Sequence, residues 1–230
     1  MNYIEVFAPV ARLDTIRLIL AIATRYSWNV FQLDVKSVPF FTVNLKRRSM
    51  CSNQKFGLEN CNAVNNPIVP GTRLSKNDAG TKVDATLFKQ VVDSLMYLTA
   101  TRPDLMFGVS LINRFMSNST KSHWFIAKRI LKYLNGTTEL GIYYKKGENT
   151  KIVAYSDIDF VRDIDDRRSA SGFVFLFGSG AVSWSSKKQP VATLSTTEAK
   201  YIVVASCVCQ RIWIQSVLEK LSLEEHTDSI

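Results

Sequence analysis

Three features of the sequence predict an α+β fold. Apolar residues recur at helical spacing from 84 to 135, and from Leu140 the period shortens to two in runs rich in Val, Ile, Phe, Tyr and Trp. A last apolar stretch, Ser195 to about Leu221, opens on Ser195-Thr196-Thr197-Glu198, the spacing of a helix capping box. The expected architecture is a helical middle region, then an antiparallel sheet of three to four strands and one long helix.

Residues 1–40 read as a helix and a strand. Asp14 is placed to cap a helix whose Ile16, Leu18, Ile19, Leu20, Ile22 and Ala23 face inward, and Trp28 to Val35 alternates like a half-buried strand. Residues 41–83 form a junction and exposed linker. Lys46-Arg47-Arg48 is either a solvated loop or a phosphate contact, and 62–82 is rich in Asn, Pro, Gly, Thr and Lys without periodicity.

Three helices are expected over 84–136. The first carries Phe88, Val91, Val92, Leu95, Met96 and Leu98, and Pro103 breaks the chain after it. The second runs from Leu105 to Met116. The third starts near Lys121, buries Trp124, Ile126, Ala127, Ile130, Leu131, Tyr133 and Leu134, and ends at Asn135-Gly136. It sets Lys121, Lys128, Arg129 and Lys132 on its polar side, as a phosphate-tracking face or an ordinary solvated one. His123 has no second histidine at metal spacing and is expected at the surface or in the core.

Over 140–222, strands are predicted at 141–145, 151–157, 171–177 and 181–185, with Gly178-Ser179-Gly180 closing a hairpin between the last two. Residues 223–230 read as a disordered tail.

The chain of 230 residues is 46% hydrophobic, enough for one sizeable core or two small ones. Its net charge of +9 and pI near 9.4 suit a polyanionic partner, or a basic surface with none. Cys51, Cys61, Cys207 and Cys209 show no CxxC spacing, which argues against a zinc site or disulfide framework. No secretory signal or long apolar run is read, so an intracellular protein, cytoplasmic or nuclear and without a membrane partner, is expected.

Several words carry a family resemblance. Tyr155-Ser156-Asp157-Ile158-Asp159, Asp166-Arg167-Arg168-Ser169-Ala170-Ser171-Gly172, Ser183-Trp184-Ser185-Ser186-Lys187-Lys188-Gln189-Pro190 and Thr196-Thr197-Glu198-Ala199-Lys200-Tyr201 occur in that order between Val153 and Cys209. Together with the residues between them, they form one stretch that resembles the ribonuclease H domain of copia-type retrotransposon Pol polyproteins. Phe7-Ala8-Pro9-Val10-Ala11-Arg12-Leu13 and Gln32-Leu33-Asp34-Val35-Lys36-Ser37 resemble the start of the same family's reverse transcriptase, and Ser94 to Asp104 its helical region, comparable to a polymerase thumb. The resemblance implies a truncated palm, a thumb-like middle and a truncated ribonuclease H-like domain.

It also implies a site. Asp34 matches the first polymerase metal ligand, but Tyr-x-Asp-Asp occurs nowhere in the chain, and one aspartate cannot hold two metal ions. In ribonuclease H, carboxylates hold two Mg²⁺ ions that assist attack of water on the RNA strand of an RNA–DNA hybrid. Asp157 matches the first carboxylate. Where the family writes Thr-Thr-Glu-Ala-Glu-Tyr, Lys200 replaces the second glutamate, which the register makes the catalytic one; in the alternative register Glu198 is the ligand. The chain is expected to end before the strand that carries the remaining acids, with Asp228 in the tail. The implied function is a degenerate, inactive Pol fragment; the alternatives are a residual Mg²⁺-dependent ribonuclease H and a non-catalytic nucleic-acid-binding protein. Phosphate contacts would fall to Lys128, Arg129, Lys132, Lys187 and Lys188.

Overall fold

The computed structural model describes residues 12–30, 61–76, 80–146, 151–160 and 163–221. Asp34, the basic run at 46–48, Cys51, most of the strand expected before residue 36, and the tail with Asp228 lie outside the described residues. Five α-helices are described: α1 (Leu13–Tyr26), α2 (Ala85–Leu98), α3 (Met106–Asn113), α4 (Lys121–Gly136) and α5 (Thr196–Lys220). Strands β1 (Ile152–Asp159), β2 (Ala170–Phe177) and β3 (Gly180–Lys188) form one antiparallel sheet in that order. The mixed α+β class and the sheet of three strands followed by one long helix agree with the sequence.

The helical region is built from its periodicity. Asp84 caps α2 by accepting the N–H groups of Thr86 at 2.8 Å and Leu87 at 3.4 Å. Phe88, Val91 and Leu95 of α2, Ile112 of α3 and Ile130 of α4 meet in a core from which water is excluded. Each such side chain contributes about 1.5–3 kcal/mol of hydrophobic stabilisation. Pro103 opens a 3₁₀ turn (Pro103–Leu105) that replaces the start of the second expected helix. Arg102, just before it, forks onto Asp104 at 2.9 and 2.7 Å and reaches Thr137 O at 2.8 Å, tying the end of α4 to this turn. His123 is a core residue: its ring stacks on Phe115 at 4.1 Å, and Nδ1 accepts the Thr120 N–H at 3.0 Å.

The stretch expected to be an exposed linker is instead docked on this core. Cys61, Val64, Ile68 and Leu74 pack against the helices. A Cβ at Gly136 would stand 2.6 Å from Ala63 Cβ, and one at Gly108 would stand 3.0 Å from Ile68 Cγ1. Two glycines on the helices therefore make room for a segment whose own composition carries no periodic signal. Farther on, Thr81–Val83 pairs with 119–121 through Val83 N to Ser119 O (3.1 Å) and Lys121 N to Thr81 O (2.9 Å).

In the sheet, β2 and β3 join through Gly178-Ser179, with Gly178 at φ +61°, the left-handed first position that such a two-residue hairpin favours. The strand expected at 141–145 is not formed. Tyr144 lies across the hairpin as a strap, donating its O–H to Ala181 O at 2.8 Å. A Cβ at Gly180 would come within 2.2 Å of its ring. Alternation there reports a side chain reaching the sheet, not a backbone in its ladder.

α1 belongs to the sheet's core: Leu18, Ala21 and Ile22 pack with Phe175, Phe177, Val182 and Ile214. Ile16, Ile19 and Leu20, expected inward, are exposed. Asp14 is not the cap either. The helix begins at Leu13, so Asp14 sits in its first turn and pairs with Arg17 at 2.8 Å. α5 lies on one face of the sheet and buries Ala199, Val203, Ile214 and Leu218. By length and composition alone it is apolar enough to cross a membrane, and it exposes a stripe of Tyr201, Val204, Val208 and Ile212.

Candidate functional site

Asp157 and Asp159 end β1 two residues apart and so share a face of the sheet. Cross-strand partners also share a face. Ala154, Phe175 and Ser183 form one row, and α5 packs on its Phe175 and Ser183 end, with Gln210 donating from Nε2 to Ser183 Oγ at 3.0 Å. The row Asp157, Gly172, Ser186 lies on the opposite face. There, Asp157 and Asp159 border an open groove of about 600 Å³ with Pro103, Phe107, Tyr155 and Trp184. The Asp157 carboxylate is exposed and accepts the N–H of Ile158 at 2.8 Å.

α5 starts at the same end of the sheet. Buried Gln189, just past β3, donates from Nε2 to Ala199 O at 3.0 Å. Ser195 Oγ accepts the Glu198 N–H at 3.1 Å, and the Glu198 carboxylate accepts the Leu194 N–H at 2.8 Å. The capping role read from Ser195-Thr196-Thr197-Glu198 is therefore filled, with the reciprocal bond one residue before the cap. Glu198 and Lys200 flank buried Ala199, each about 100° from it around the axis, and both are exposed. Asp157 lies on the sheet face opposite the row on which Gln210 and Ile214 of α5 pack, and its carboxylate makes no described hydrogen bond or ion pair with Glu198 or Lys200. Among the described residues no three Asp, Glu, His or Cys side chains converge as a metal site. Asp157 and Asp159 are oxygen donors of the hard type that Mg²⁺ prefers, but a pair on one strand facing away from α5 does not fit a two-ion centre.

The cations divide. Lys188 Nζ lies 2.8 Å from Asp163 and 2.7 Å from Asp166, so its charge is engaged within the fold. Asp163, buried between β strands and helices, also pairs with Arg114 at 3.3 Å and accepts the N–H of Asp165 at 3.0 Å. Burial alone would raise its pKa, but the hydrogen bond and charge of Lys188 outweigh that and hold the carboxyl below its usual range. Asp165 extends the network by accepting Ser75 Oγ at 2.5 Å and Lys76 N at 2.8 Å. This turn clamps the sheet to the helical region. Lys187 is exposed and borders a second groove of about 570 Å³ with Arg12, Tyr97 and Trp184.

On α4, Lys128 Nζ stands 5.4 Å from the Trp124 ring, and Arg129 donates to Asn66 O at 3.2 Å. Lys128, Arg129 and Lys132 are all half-buried along their stems. Between them projects Phe125, 64% exposed, which sequence reading passed over. The signal was available: 121, 128, 129 and 132 are four before and three, four and seven after position 125.

Residues 1–111 match the family model described as Reverse transcriptase (RNA-dependent DNA polymerase). The chain is 40% identical over 162 residues to the retrovirus-related Pol polyprotein from transposon RE2 of Arabidopsis thaliana, covering 70% of this chain and 11% of that protein. It is 36% identical over 179 residues to the one from transposon TNT 1-94 of Nicotiana tabacum, covering 75% of this chain and 13% of that protein. It is also 38% identical over 128 residues to Secreted RxLR effector protein 161 of Plasmopara viticola, 55% of this chain and 90% of that protein. The alignments thus span little more than a tenth of the length of the Pol polyproteins, and no solved structure matches the chain. By its match to the reverse transcriptase family model and its likeness to the transposon Pol polyproteins, the chain belongs to the copia-type retrotransposon Pol polyprotein family.

Proposed function

We propose that this chain is a catalytically silent remnant of Pol, with the remains of a ribonuclease H-like sheet and a basic surface for nucleic acid. The observation that carries the first half is the position of Asp157. Two-ion hydrolysis needs carboxylates from the first strand and the following helix to converge. Asp157 faces the groove beside Phe107 and Trp184, whereas the start of α5 offers a glutamate engaged as a cap and an exposed lysine, neither of which borders that groove. An ammonium at position 200 is not a metal ligand and adds positive charge near any ion held at this end of the sheet. Polymerase chemistry is further from reach, because the sequence lacks Tyr-x-Asp-Asp.

The second half rests on α4, whose sixteen residues Lys121–Gly136 include four cations and no acid. Such a face attracts phosphate and releases counterions on binding. The test uses the full chain with a labelled RNA–DNA hybrid. Hybrid binding that weakens steeply with salt, without cleavage in Mg²⁺ or Mn²⁺, is the expected result. Metal-dependent cleavage that disappears in Asp157→Asn overturns the silent reading in favour of a residual ribonuclease H.

A further inference from the structure

We propose that Phe125 on α4 is a stacking platform for an unpaired base, which makes this face selective for single-stranded nucleic acid. The inference rests on the reading of α4 as a phosphate-binding face and goes beyond it. Taking Phe125 as the reference direction, Lys121, Lys128, Arg129 and Lys132 all fall within about 60° of it around the helix axis. The buried residues Ile126, Ala127, Ile130, Tyr133 and Leu134 occupy the remaining arc. An aromatic ring therefore stands at the centre of the outward face and has cations on both sides of it along the axis.

Neither component explains the other. Phe125 adds nothing to the core that its neighbours fill, and at 64% exposure it keeps most of its surface in water. Solvation of a polar face would select a polar residue there. A ring among cations has one polymeric partner that uses both features: phosphates meet the ammonium and guanidinium groups while a base covers the ring. In a duplex the base faces are already stacked on one another, so only an unpaired base can take the ring. An acidic protein surface would use the cations but leave the ring without a partner of its own kind.

The experiment measures binding of the full chain to a labelled unstructured oligouridylate and to the same strand annealed to oligodeoxyadenylate, across a salt series. The wild-type chain is expected to prefer the single strand. Phe125→Ala should weaken single-strand binding roughly tenfold while changing hybrid binding little, and Phe125→Trp should preserve it. Lys128→Ala with Lys132→Ala should weaken both ligands and flatten the salt dependence. Circular dichroism checks that the substitutions leave the fold intact. If the lysine changes weaken binding but Phe125→Ala does not, the platform is overturned and the basic-face reading stands. If the wild-type chain binds neither ligand, both fall.

Discussion

The guanidinium carbon of Arg17 sits 3.7 Å from the centroid of the Trp184 ring. From α1 the same group donates to Ala100 O, with Nε at 2.9 Å and Nη2 as a second donor, and Nη1 pairs with Asp14. Trp184 in turn donates from Nε1 to Thr99 O at 3.0 Å. One cation thus joins an N-terminal helix, the end of α2 and the middle strand-face of β3. Arg17→Ala removes the stack and leaves Ala100 O without these donors, at an expected cost of about 2–3 kcal/mol. Arg17→Lys keeps the charge but neither the flat stack nor the fork, and should recover less than half of that. Denaturant midpoints measure both, and a loss under about 0.5 kcal/mol for Arg17→Ala would sink this account.

Asp163 predicts behaviour at low pH. Lys188 and Arg114 both pair with this buried carboxylate, and Lys188 would keep Asp166, so Asp163→Asn weakens the pairing of two cations at a cost of about 2–3 kcal/mol at neutral pH. The sign of the pH effect follows from the depressed folded pKa. Its contribution is fully present above the ordinary carboxylate value of about 4 and is lost as pH falls through the folded value. The wild-type chain should therefore lose its advantage over Asp163→Asn as acid is added. A constant difference across that range would count against the network.

Tyr144 sets the opposite limit. Its half-buried phenol lies against the hairpin, and its pKa is pushed up to about 12 by desolvation. The folded chain keeps this proton after the unfolded chain has lost it, so the contribution is complete below about pH 10 and is lost as pH rises towards 12. Tyr144→Phe should cost the hydrogen bond to Ala181 O at neutral pH, and its stability should decline less steeply above pH 10 than the wild type's. Parallel alkaline curves would show that the phenol is solvated.

These groups also mark where the sequence was legible. Phe88, Val91, Leu95, Ile112 and Ile130 were readable because a helix's burial repeats locally, and the cap at Ser195 because its partners lie three or four residues away. Tyr144 misled because alternation does not distinguish a strand from a strap whose side chain docks. Lys188 looked like a phosphate contact until the turn at Asp163–Asp166 folded back onto it, 22 and 25 residues away in sequence. The seating of α1 on β3 is likewise a long-range outcome. Of the site, the strand-end position of Asp157 was readable; its face was not, since that depends on which side α5 covers.

Phe125 offers a stability control. Because its ring is mostly in water, Phe125→Ala should change stability by less than about 0.5 kcal/mol. Phe88→Ala on α2, where the ring is fully buried beside Trp124, should cost about 3–5 kcal/mol. Thermal melts of the two variants distinguish a ring kept for packing from one kept for contact.

The decisive substitution for catalysis is Lys200→Glu. If the lysine alone silenced the site, restoring a carboxylate would restore Mg²⁺-dependent cleavage of the hybrid. The sheet argues otherwise. Lys200 is exposed beside buried Ala199 at the start of α5, and Asp157 borders the groove towards Phe107 on the sheet face opposite the row on which the middle of α5 packs. A new carboxylate would join neither Asp157 nor Asp159 around one ion, and two ions need more donors still. Lys200→Glu should therefore remain without cleavage. It should also bind hybrid slightly less well, through the change of two charge units at an exposed position. Cleavage that appears in Lys200→Glu and vanishes when Asp157→Asn is added would mean that the two positions do converge, and the assignment of Asp157 to the far face would be wrong.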